Sequence, residues 1–332
     1  MAPVVSSLNP NTGPTAGGTA VTINGSGFTG VTAVRFGTVP AAFTVISTSQ
    51  ITATSPAGSG TVNVTVVATS GTSNGVAYTY VATPVLSSLA PGRGPTSGGN
   101  TVILTGSGLS GATAVKFDAS PAAIIGNTST QVTVTAPAGP AAPADVTVTT
   151  PGGVSNPLPY FYIPAPAISE VGPDKGPLAG GNSVTITGSN LTLTSIVRFG
   201  ASTATSVSIG SDSQVTALAP SGSGTVAVTI TTPGGTSTNG LGNAYYTYLA
   251  NPSLSSLTPS SGPTLGGTIV TITGSNLAYA DEVRFAGVPV PFATVSNTQV
   301  VAIAPAGTAG AATVVVRTPA GTSPGLPYQY VT

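Results

Sequence analysis

The chain contains no histidine, no cysteine and no tryptophan, and only 4% of its 332 residues are charged. Histidine and cysteine supply the commonest general bases, the commonest thiol nucleophile and most ligands of transition metals. Their joint absence argues against an enzyme and against a metal protein. We therefore expect no catalytic site, no metal site and no cofactor.

Charge of either sign is scarce, with seven basic and seven acidic residues and a net charge of +0. Because no basic stripe exists, the electrostatic attraction that dominates nucleic-acid binding is missing, and we expect no nucleic-acid partner. No apolar run approaches the roughly 18 residues of a membrane-spanning helix, so we expect no membrane insertion. The first residues, MAPVVSSLNP, lack the basic and apolar regions of a signal peptide.

Turn-forming residues are abundant instead, with 44 glycines and 30 prolines. Between them threonine and valine alternate, as in TVNVTVV at 61–67, which is typical of a half-buried strand. No stretch shows the spacing of an amphipathic helix of useful length. The sequence therefore predicts an all-β protein.

A long internal repeat organises the chain around four prolines, Pro10, Pro91, Pro173 and Pro259, which are 81, 82 and 86 residues apart. Each proline opens a G-P-x-x-G-G turn, and a strand-like segment follows. Next come the segments AVRFG, AVKFD, IVRFG and EVRFA, and each unit closes with YTYV, YFYI, YTYL or YQYV. Because the repeat covers essentially the whole chain, the chain is an array of similar units.

Each unit holds about seven short strand-like runs, which fits an immunoglobulin-like sandwich. The repeat exceeds the period of about 20 to 50 residues that propeller blades and solenoid coils show. We expect four tandem immunoglobulin-like β-sandwich domains, with boundaries at 1–82, 83–164, 165–250 and 251–332. Only three residues separate the last tyrosine of one unit from the first proline of the next. Such short, proline-bounded linkers predict a semi-rigid rod.

The units resemble IPT/TIG domains, the immunoglobulin-like fold shared by plexins, transcription factors and many bacterial surface proteins. The resemblance is carried by P-x-x-G-P-x-x-G-G-x-x-V-T-I-x-G-x-x-F followed by V-x-F-G; Asp118 and Ala286 stand where the family favours glycine. It implies an extracellular or cell-surface location. In bacteria it also implies a spacer, an adhesive stalk or an attachment to a secreted polysaccharide enzyme.

The side-chain period of a strand identifies the candidate core. Val34 and Phe36 lie on one face of their strand and Arg35 on the other, and Tyr78 and Tyr80 share a face of the closing strand. Tyrosine suits that place because it fills volume while its hydroxyl reaches an edge partner. The predicted core anchors are one phenylalanine and the last tyrosine of each unit: Phe36, Phe117, Phe199, Phe285, Tyr80, Tyr162, Tyr248 and Tyr330.

Two sets of residues are candidates for contacts with another chain or a ligand. A cation recurs in every unit beside the core phenylalanine: Arg35, Lys116, Arg198 and Arg284. This cation can have one of two roles. It discourages pairing between strand edges of different chains, which is the interpretation we favour, or it provides one contact per unit with a neighbouring chain. When the four units are aligned, nearly every tyrosine and phenylalanine falls at a position that we assign to the core in the repeat. The exceptions are Tyr245 and Tyr279, where the other units carry no aromatic residue.

Motifs that suggest chemistry have structural explanations. Gly25, Gly27 and Gly30 match a dinucleotide-binding fingerprint, but a β-rich stretch follows instead of a helix, which predicts a turn or a bulge. The carboxylates are dispersed, and the only close groupings are Glu170 with Asp174 and the pair at 281–282. We interpret them as solvated turn charges.

Three functional hypotheses remain. The first is a structural protein, either a surface stalk or a filament subunit that associates end to end with copies of itself. The alternative is an array that binds a cell-surface polysaccharide or a partner protein, possibly attached to a secreted enzyme. The third, an enzyme, requires carboxylates that converge in space. Since the terminal units lack the polar caps of repeat arrays, we expect either an excerpt of a longer protein or a subunit whose ends meet a neighbour.

Overall fold

The computed structural model describes residues 1–238 and 244–332, and every regular element of three or more residues in them is a β-strand. Contacts divide the chain into two compact units, Met1–Pro164 and Ala165–Thr332. Among these residues, each unit contains two separate hydrophobic cores, which makes four. The prediction of four tandem immunoglobulin-like β-sandwiches is confirmed.

The first unit contains two domains of nine strands each. The strands of the first domain are β1 (Val4–Asn9), β2 (Thr12–Pro14), β3 (Ala20–Ser26), β4 (Val31–Phe36), β5 (Val39–Ser47), β6 (Gln50–Thr54), β7 (Thr61–Ala68), β8 (Gly71–Thr72) and β9 (Val76–Val81). Those of the second domain are β10 (Val85–Ala90), β11 (Arg93–Pro95), β12 (Thr101–Ser107), β13 (Ala114–Phe117), β14 (Ser120–Asn127), β15 (Gln131–Thr135), β16 (Pro143–Thr150), β17 (Gly153–Val154) and β18 (Leu158–Ile163).

The second unit contains the third and fourth domains. The strands of the third domain are β19 (Ala167–Gly172), β20 (Lys175–Pro177), β21 (Ser183–Ser189), β22 (Ile196–Phe199), β23 (Ser202–Thr203), β24 (Thr205–Ser211), β25 (Gln214–Leu218), β26 (Gly224–Thr232), β27 (Gly235–Thr236) and β28 (Tyr245–Leu249). Those of the fourth domain are β29 (Ser253–Thr258), β30 (Ser261–Pro263), β31 (Ile269–Ser275), β32 (Glu282–Phe285), β33 (Val288–Pro289), β34 (Phe292–Ser296), β35 (Gln299–Ile303), β36 (Gly310–Thr318), β37 (Gly321–Thr322) and β38 (Leu326–Val331).

Each sandwich has the same two sheets. In the first domain, one sheet runs β1-β3-β6-β5 and the other β2-β9-β7-β4, and β5 pairs with both β6 and β4. In the third and fourth domains the equivalent strand is interrupted, which separates the sheets. The described strands outnumber the predicted seven because pieces such as Thr12–Pro14 and Gly71–Thr72 are too short to show alternation.

An aromatic cluster occupies the centre of each core. In the first domain Phe36 contacts Tyr78 edge to face, with ring centroids 5.0 Å apart, and Tyr78 contacts Tyr80 in the same way at 5.1 Å. The other domains repeat this arrangement. Such pairs stabilise a core by about 0.5–1.5 kcal/mol beyond the area they bury. All eight predicted anchors are buried: Phe36, Phe117, Phe199, Phe285, Tyr80, Tyr162, Tyr248 and Tyr330.

The last tyrosine of each domain is fixed by the P-A-G or P-S-G loop opposite it. The Tyr162 hydroxyl donates a hydrogen bond to the carbonyl oxygen of Pro137 at 2.8 Å. The ring of Tyr162 lies against Gly139, where an added Cβ would stand 2.5 Å from the ring carbon Cε2. Equivalent hydrogen bonds and ring contacts occur in the other three domains. The hydroxyl therefore reaches the edge of the sandwich while the ring remains in the core.

The other buried tyrosine has a partner in only two domains. Tyr160 and Tyr246 donate to the side-chain oxygens of Asn100 and Asn182 at 3.1 and 2.7 Å. Threonine stands at that position in the first and fourth domains. The hydroxyls of Tyr78 and Tyr328 lack a hydrogen-bond partner among the described residues. The four cores thus share one aromatic geometry but differ in their polar contacts.

The Gly139→Ala substitution tests whether the P-A-G loop of the second domain must pack directly against the ring of Tyr162. We expect the new methyl group to displace Tyr162 and to destabilise the second domain by about 1–3 kcal/mol, as overpacking does. Hydrogen–deuterium exchange of the full chain measures this, with the other three domains as internal references. Gly92→Ala is the matched control, because a Cβ there meets only a backbone oxygen at 3.7 Å. Equal protection of the second domain in both variants would contradict this packing.

Stability should also fall at alkaline pH. Burial, with smaller contributions from the nearby Tyr160 and Asp118, raises the pKa of Tyr162 from 10.0 to about 12. The neutral phenol therefore contributes stability that is complete below pH 10 and is lost as pH rises towards 12, since the unfolded chain releases this proton first. Urea unfolding followed by near-ultraviolet circular dichroism should show midpoints that decrease across this window. In Tyr162→Phe, the decrease should be smaller; an identical decrease would contradict the assignment.

Candidate functional site

The recurring cation lies on the solvent-facing side of its strand. Arg35, Lys116, Arg198 and Arg284 are all exposed, opposite buried valine and phenylalanine. The guanidinium of Arg35 donates to the carbonyl oxygen of Thr38 at 3.1 Å, and Arg198 and Arg284 form the same bond within their own domains. Each arginine thus holds the hairpin turn that follows its strand. The interpretation that Arg35 discourages edge pairing is wrong, because its strand is not at an edge of the sheet: β4 pairs with β7 on one side and with β5 on the other.

The fourth domain collects four charged side chains on one face. Arg284 contacts Glu282 at 2.9 Å, and Arg317 contacts Asp281 at 2.9 Å and Glu282 at 3.5 Å. The hydrogen bond from Arg284 lowers the pKa of Glu282, and the bond to Asp281 raises the pKa of Arg317. These shifts favour the ionised forms of Glu282 and Arg317, which take part in one ion-pair network with Asp281 and Arg284.

Other acidic side chains support loops. Asp212 accepts hydrogen bonds from the hydroxyl of Thr192 at 2.8 Å and from the backbone N–H of Asn190 at 3.2 Å. The Thr192 hydroxyl, first among these donors, lowers the pKa of the Asp212 carboxyl. In residues 1–238 and 244–332, no three acidic residues come together in a way that could hold a metal ion. The same residues include no helix of the length and hydropathy needed to cross a membrane.

The two tyrosines outside the repeated columns have different surroundings. Tyr245 lies on the outer face of β28 and is 42% exposed. Tyr279 is 47% exposed, and the Nζ atom of Lys175 lies 5.3 Å from its ring centroid. Lys175 also forms an ion pair with Asp174 at 2.6 Å. Because Lys175 belongs to the third domain and Tyr279 to the fourth, this cation–π contact joins two domains of the second unit.

Sequence reasoning missed a third exposed aromatic residue. Phe161 stands in the closing segment YFYI, yet its side chain is 46% exposed. The expectation that only Tyr245 and Tyr279 lie outside the core columns was therefore wrong. The alternation of the strand contained the signal, since Tyr160 and Tyr162 point inward and the residue between them must point outward.

The linkers are bonded to the domain that follows them. The side-chain amide of Asn276 donates to the carbonyl oxygen of Asn251 at 2.9 Å, and that of Asn190 donates to Ala165 at 3.0 Å. Both asparagines have a positive φ, near 60°, a conformation that asparagine tolerates better than most residues. In the second domain, a Cβ at Gly152 would collide with the carbonyl oxygen of Ala82 in the linker. The linkers are thus held closely by the loops they precede.

Comparison with known proteins identifies the repeated unit. The IPT/TIG domain profile matches residues 3–80, 84–162, 166–248 and 252–330. The chain belongs to the IPT/TIG domain family. Its IPT/TIG domains are 28% identical over 291 residues to fibrocystin-L of Mus musculus, a match covering 83% of this chain and 7% of fibrocystin-L. The chain therefore spans only a small part of that relative.

Two solved structures align with much of this chain. The extracellular region of plexin A4 aligns with 96% of this chain, at 20% identity and a TM-score of 0.38, over 30% of its own length. SGBP-B from a xyloglucan utilization locus of Bacteroides uniformis aligns with 69% of this chain, at 18% identity and a TM-score of 0.25, over 66% of its own length.

The contact between Lys175 and Tyr279 should restrict the joint between the third and fourth IPT/TIG domains. An exposed cation–π pair contributes about 0.5–1 kcal/mol, so its loss should raise the population of other orientations by roughly two- to fivefold. The cysteine-free chain allows spin labels at Ser208→Cys and Ser296→Cys. Electron–electron double resonance should give a broader distance distribution in Tyr279→Ala.

The control for this measurement is Tyr245→Ala, which removes the exposed tyrosine of β28. Alanine also stands at the equivalent place in the first domain, Ala77. The distance distribution should be unchanged in this variant and should broaden in Lys175→Thr. Identical distributions in all the variants would show that the cation–π contact does not restrain the joint.

Proposed function

We propose that the chain is a non-enzymatic structural array, a stalk segment of an extracellular or cell-surface protein. The observation that carries this proposal is the bonding of the linkers. The side-chain amides of Asn190 and Asn276 donate to carbonyl oxygens of the linkers that precede their domains. Lys175 and Tyr279 form a further contact, between the third and fourth domains. A spacer needs joints of this kind, because freely jointed domains would not hold a distance.

The independence of the four cores supports the same proposal. Each IPT/TIG domain completes its own aromatic cluster and its own apolar core. A domain that buries its core alone can be added or removed without unfolding its neighbours. A self-contained domain of this kind is a suitable building unit for a stalk.

The chemistry of the side chains is consistent with a non-enzymatic role. Asp281 and Glu282, which are adjacent in the sequence, are paired with Arg317 and Arg284. The chain has neither histidine nor cysteine to serve as base or nucleophile. The ordinary two-carboxylate, triad and metal-dependent mechanisms of hydrolysis therefore have no evident residues to perform them.

A second candidate function is association with another protein, including a second copy of this chain. The outer face of β31 and β35 in the fourth domain exposes Ile269 and Ile303, at 64% and 45%. Together with Pro291 and Phe292, they line an apolar depression of about 290 Å³. The first domain has Ala20 and Thr54 at the positions of the two isoleucines. Exposed apolar patches of this kind mark protein contacts.

Light scattering and negative-stain electron microscopy of the purified chain test the stalk proposal. We expect a mass near 31.8 kDa and separate elongated particles. Their length should be on the order of 150 Å, if each domain adds the length of its strands and end loops. Compact particles would contradict a stalk. Long fibres that disappear in the double variant Ile269→Ala and Ile303→Thr would establish a filament subunit instead.

A further inference from the structure

We propose that a groove on the second domain, between Arg93 and Phe161, binds an acidic polysaccharide through the carboxylate and the apolar face of one sugar residue. The groove has a volume of about 300 Å³ and lies where β10, β11 and β18 meet. Its lining includes Ser88, Arg93, Pro159 and Phe161. This site is separate from the proposed stalk function, and neither depends on the other.

The backbone fixes the two principal side chains next to each other. Arg93 on β11 is the register partner of Phe161 on the parallel strand β18, and the N–H of Phe161 donates to the carbonyl oxygen of Gly92 at 3.0 Å. The residues on either side of Phe161 are buried tyrosines whose hydroxyls bind Asn100 and Pro137. The strand is thus held on its inner face, which leaves the outer ring preorganised for a ligand.

The aromatic and cationic pair occurs only in the second domain. The positions equivalent to Phe161 hold Thr79, Thr247 and Gln329. Those equivalent to Arg93 hold Thr12, Lys175 and Ser261. Because the inward tyrosines are the same in all four domains, the core does not require a phenylalanine at position 161. The outer face of the second domain therefore differs from the others in a way that packing does not explain.

The spacing of the pair suits a single sugar ring. Neighbouring strands lie about 4.8 Å apart, so an aromatic face and a guanidinium on paired positions address adjacent parts of one small ligand. The exposed ring offers an apolar surface to the C–H face of a pyranose. The guanidinium presents a planar fork that matches a carboxylate with two hydrogen bonds. The exposed Ser88 adds a hydroxyl that can bind the hydroxyls of a sugar.

Charge selects an acidic sugar over a neutral one. Arg93 forms no ion pair with the described residues, and no acidic side chain is among the residues that line the groove. The acidic residue that the sheet register brings nearest is Asp145, which lies opposite Pro159 and not opposite Phe161. A carboxylate in the groove would therefore meet an unpaired cation.

Isothermal titration calorimetry of the full chain tests this site with oligogalacturonate and oligomannuronate as acidic probes. Cello-oligosaccharides of the same length are the neutral probe, and polyglutamate represents an acidic protein segment. We expect both uronates to bind more tightly than the neutral probe and polyglutamate. Binding should weaken with added salt because the ion pair is exposed.

The variants copy residues that the first domain already accommodates. Phe161→Thr and Arg93→Thr reproduce Thr79 and Thr12, so both should leave the fold intact, which hydrogen exchange verifies. Each should weaken uronate binding about tenfold or more, a loss of about 1.4 kcal/mol. Tyr245→Ala and Arg35→Thr, which alter an aromatic and a cation elsewhere, should bind normally. Uronate binding that is absent or unchanged in the groove variants, or a preference for polyglutamate or cello-oligosaccharide, would overturn the proposal.

Discussion

Each domain depends on two edge-to-face contacts in its core, one between a phenylalanine and a tyrosine and one between that tyrosine and a second tyrosine. Phe36, Tyr78 and Tyr80 show how these contacts constrain the sequence around them. The last tyrosine needs a carbonyl acceptor in the facing loop and a glycine beneath its ring, and Pro56 and Gly58 supply them. Because side chains alternate along a strand, the residue before the phenylalanine faces solvent. In the first domain this residue is Arg35, whose guanidinium donates a hydrogen bond to the turn that follows. Most of the repeated motif can be understood as the surroundings of these three rings.

Because the aromatic geometry of the core is the same in all four domains, the outer faces are free to differ, and the exposed features that distinguish the domains lie there. The second domain exposes Phe161 beside Arg93, and the fourth exposes Ile269 and Ile303. The third and fourth domains share the contact between Lys175 and Tyr279. A shared aromatic core with individual surfaces is consistent with the proposed array, in which spacing is common to all domains and binding is specific to one. Because the surface positions differ from domain to domain, a chain with so little charge can still carry one groove that contains a cation.

The fold could be predicted because its signals are local and occur four times. The alternation of Val34, Arg35 and Phe36 indicates which side chains point inward, and the repeat removes the ambiguity of a single short strand. The surface contacts could not be predicted in the same way. The groove joins residues 68 positions apart (161 minus 93), and the cation–π contact joins residues 104 apart (279 minus 175). Only the paired strands and the joint bring them together. Phe161 was concealed because an aromatic residue within an aromatic segment resembles the core.

Single-molecule force spectroscopy of the full chain tests most directly the claim that each domain is complete in itself. Stretching should produce four separate unfolding events. Each should lengthen the chain by about 225 to 250 Å, the extended length of roughly 80 residues less a folded domain of about 40 Å. Gly139→Ala should lower the force of one event only. Fewer events with longer extensions would show that neighbouring domains unfold together, which would contradict four self-sufficient cores.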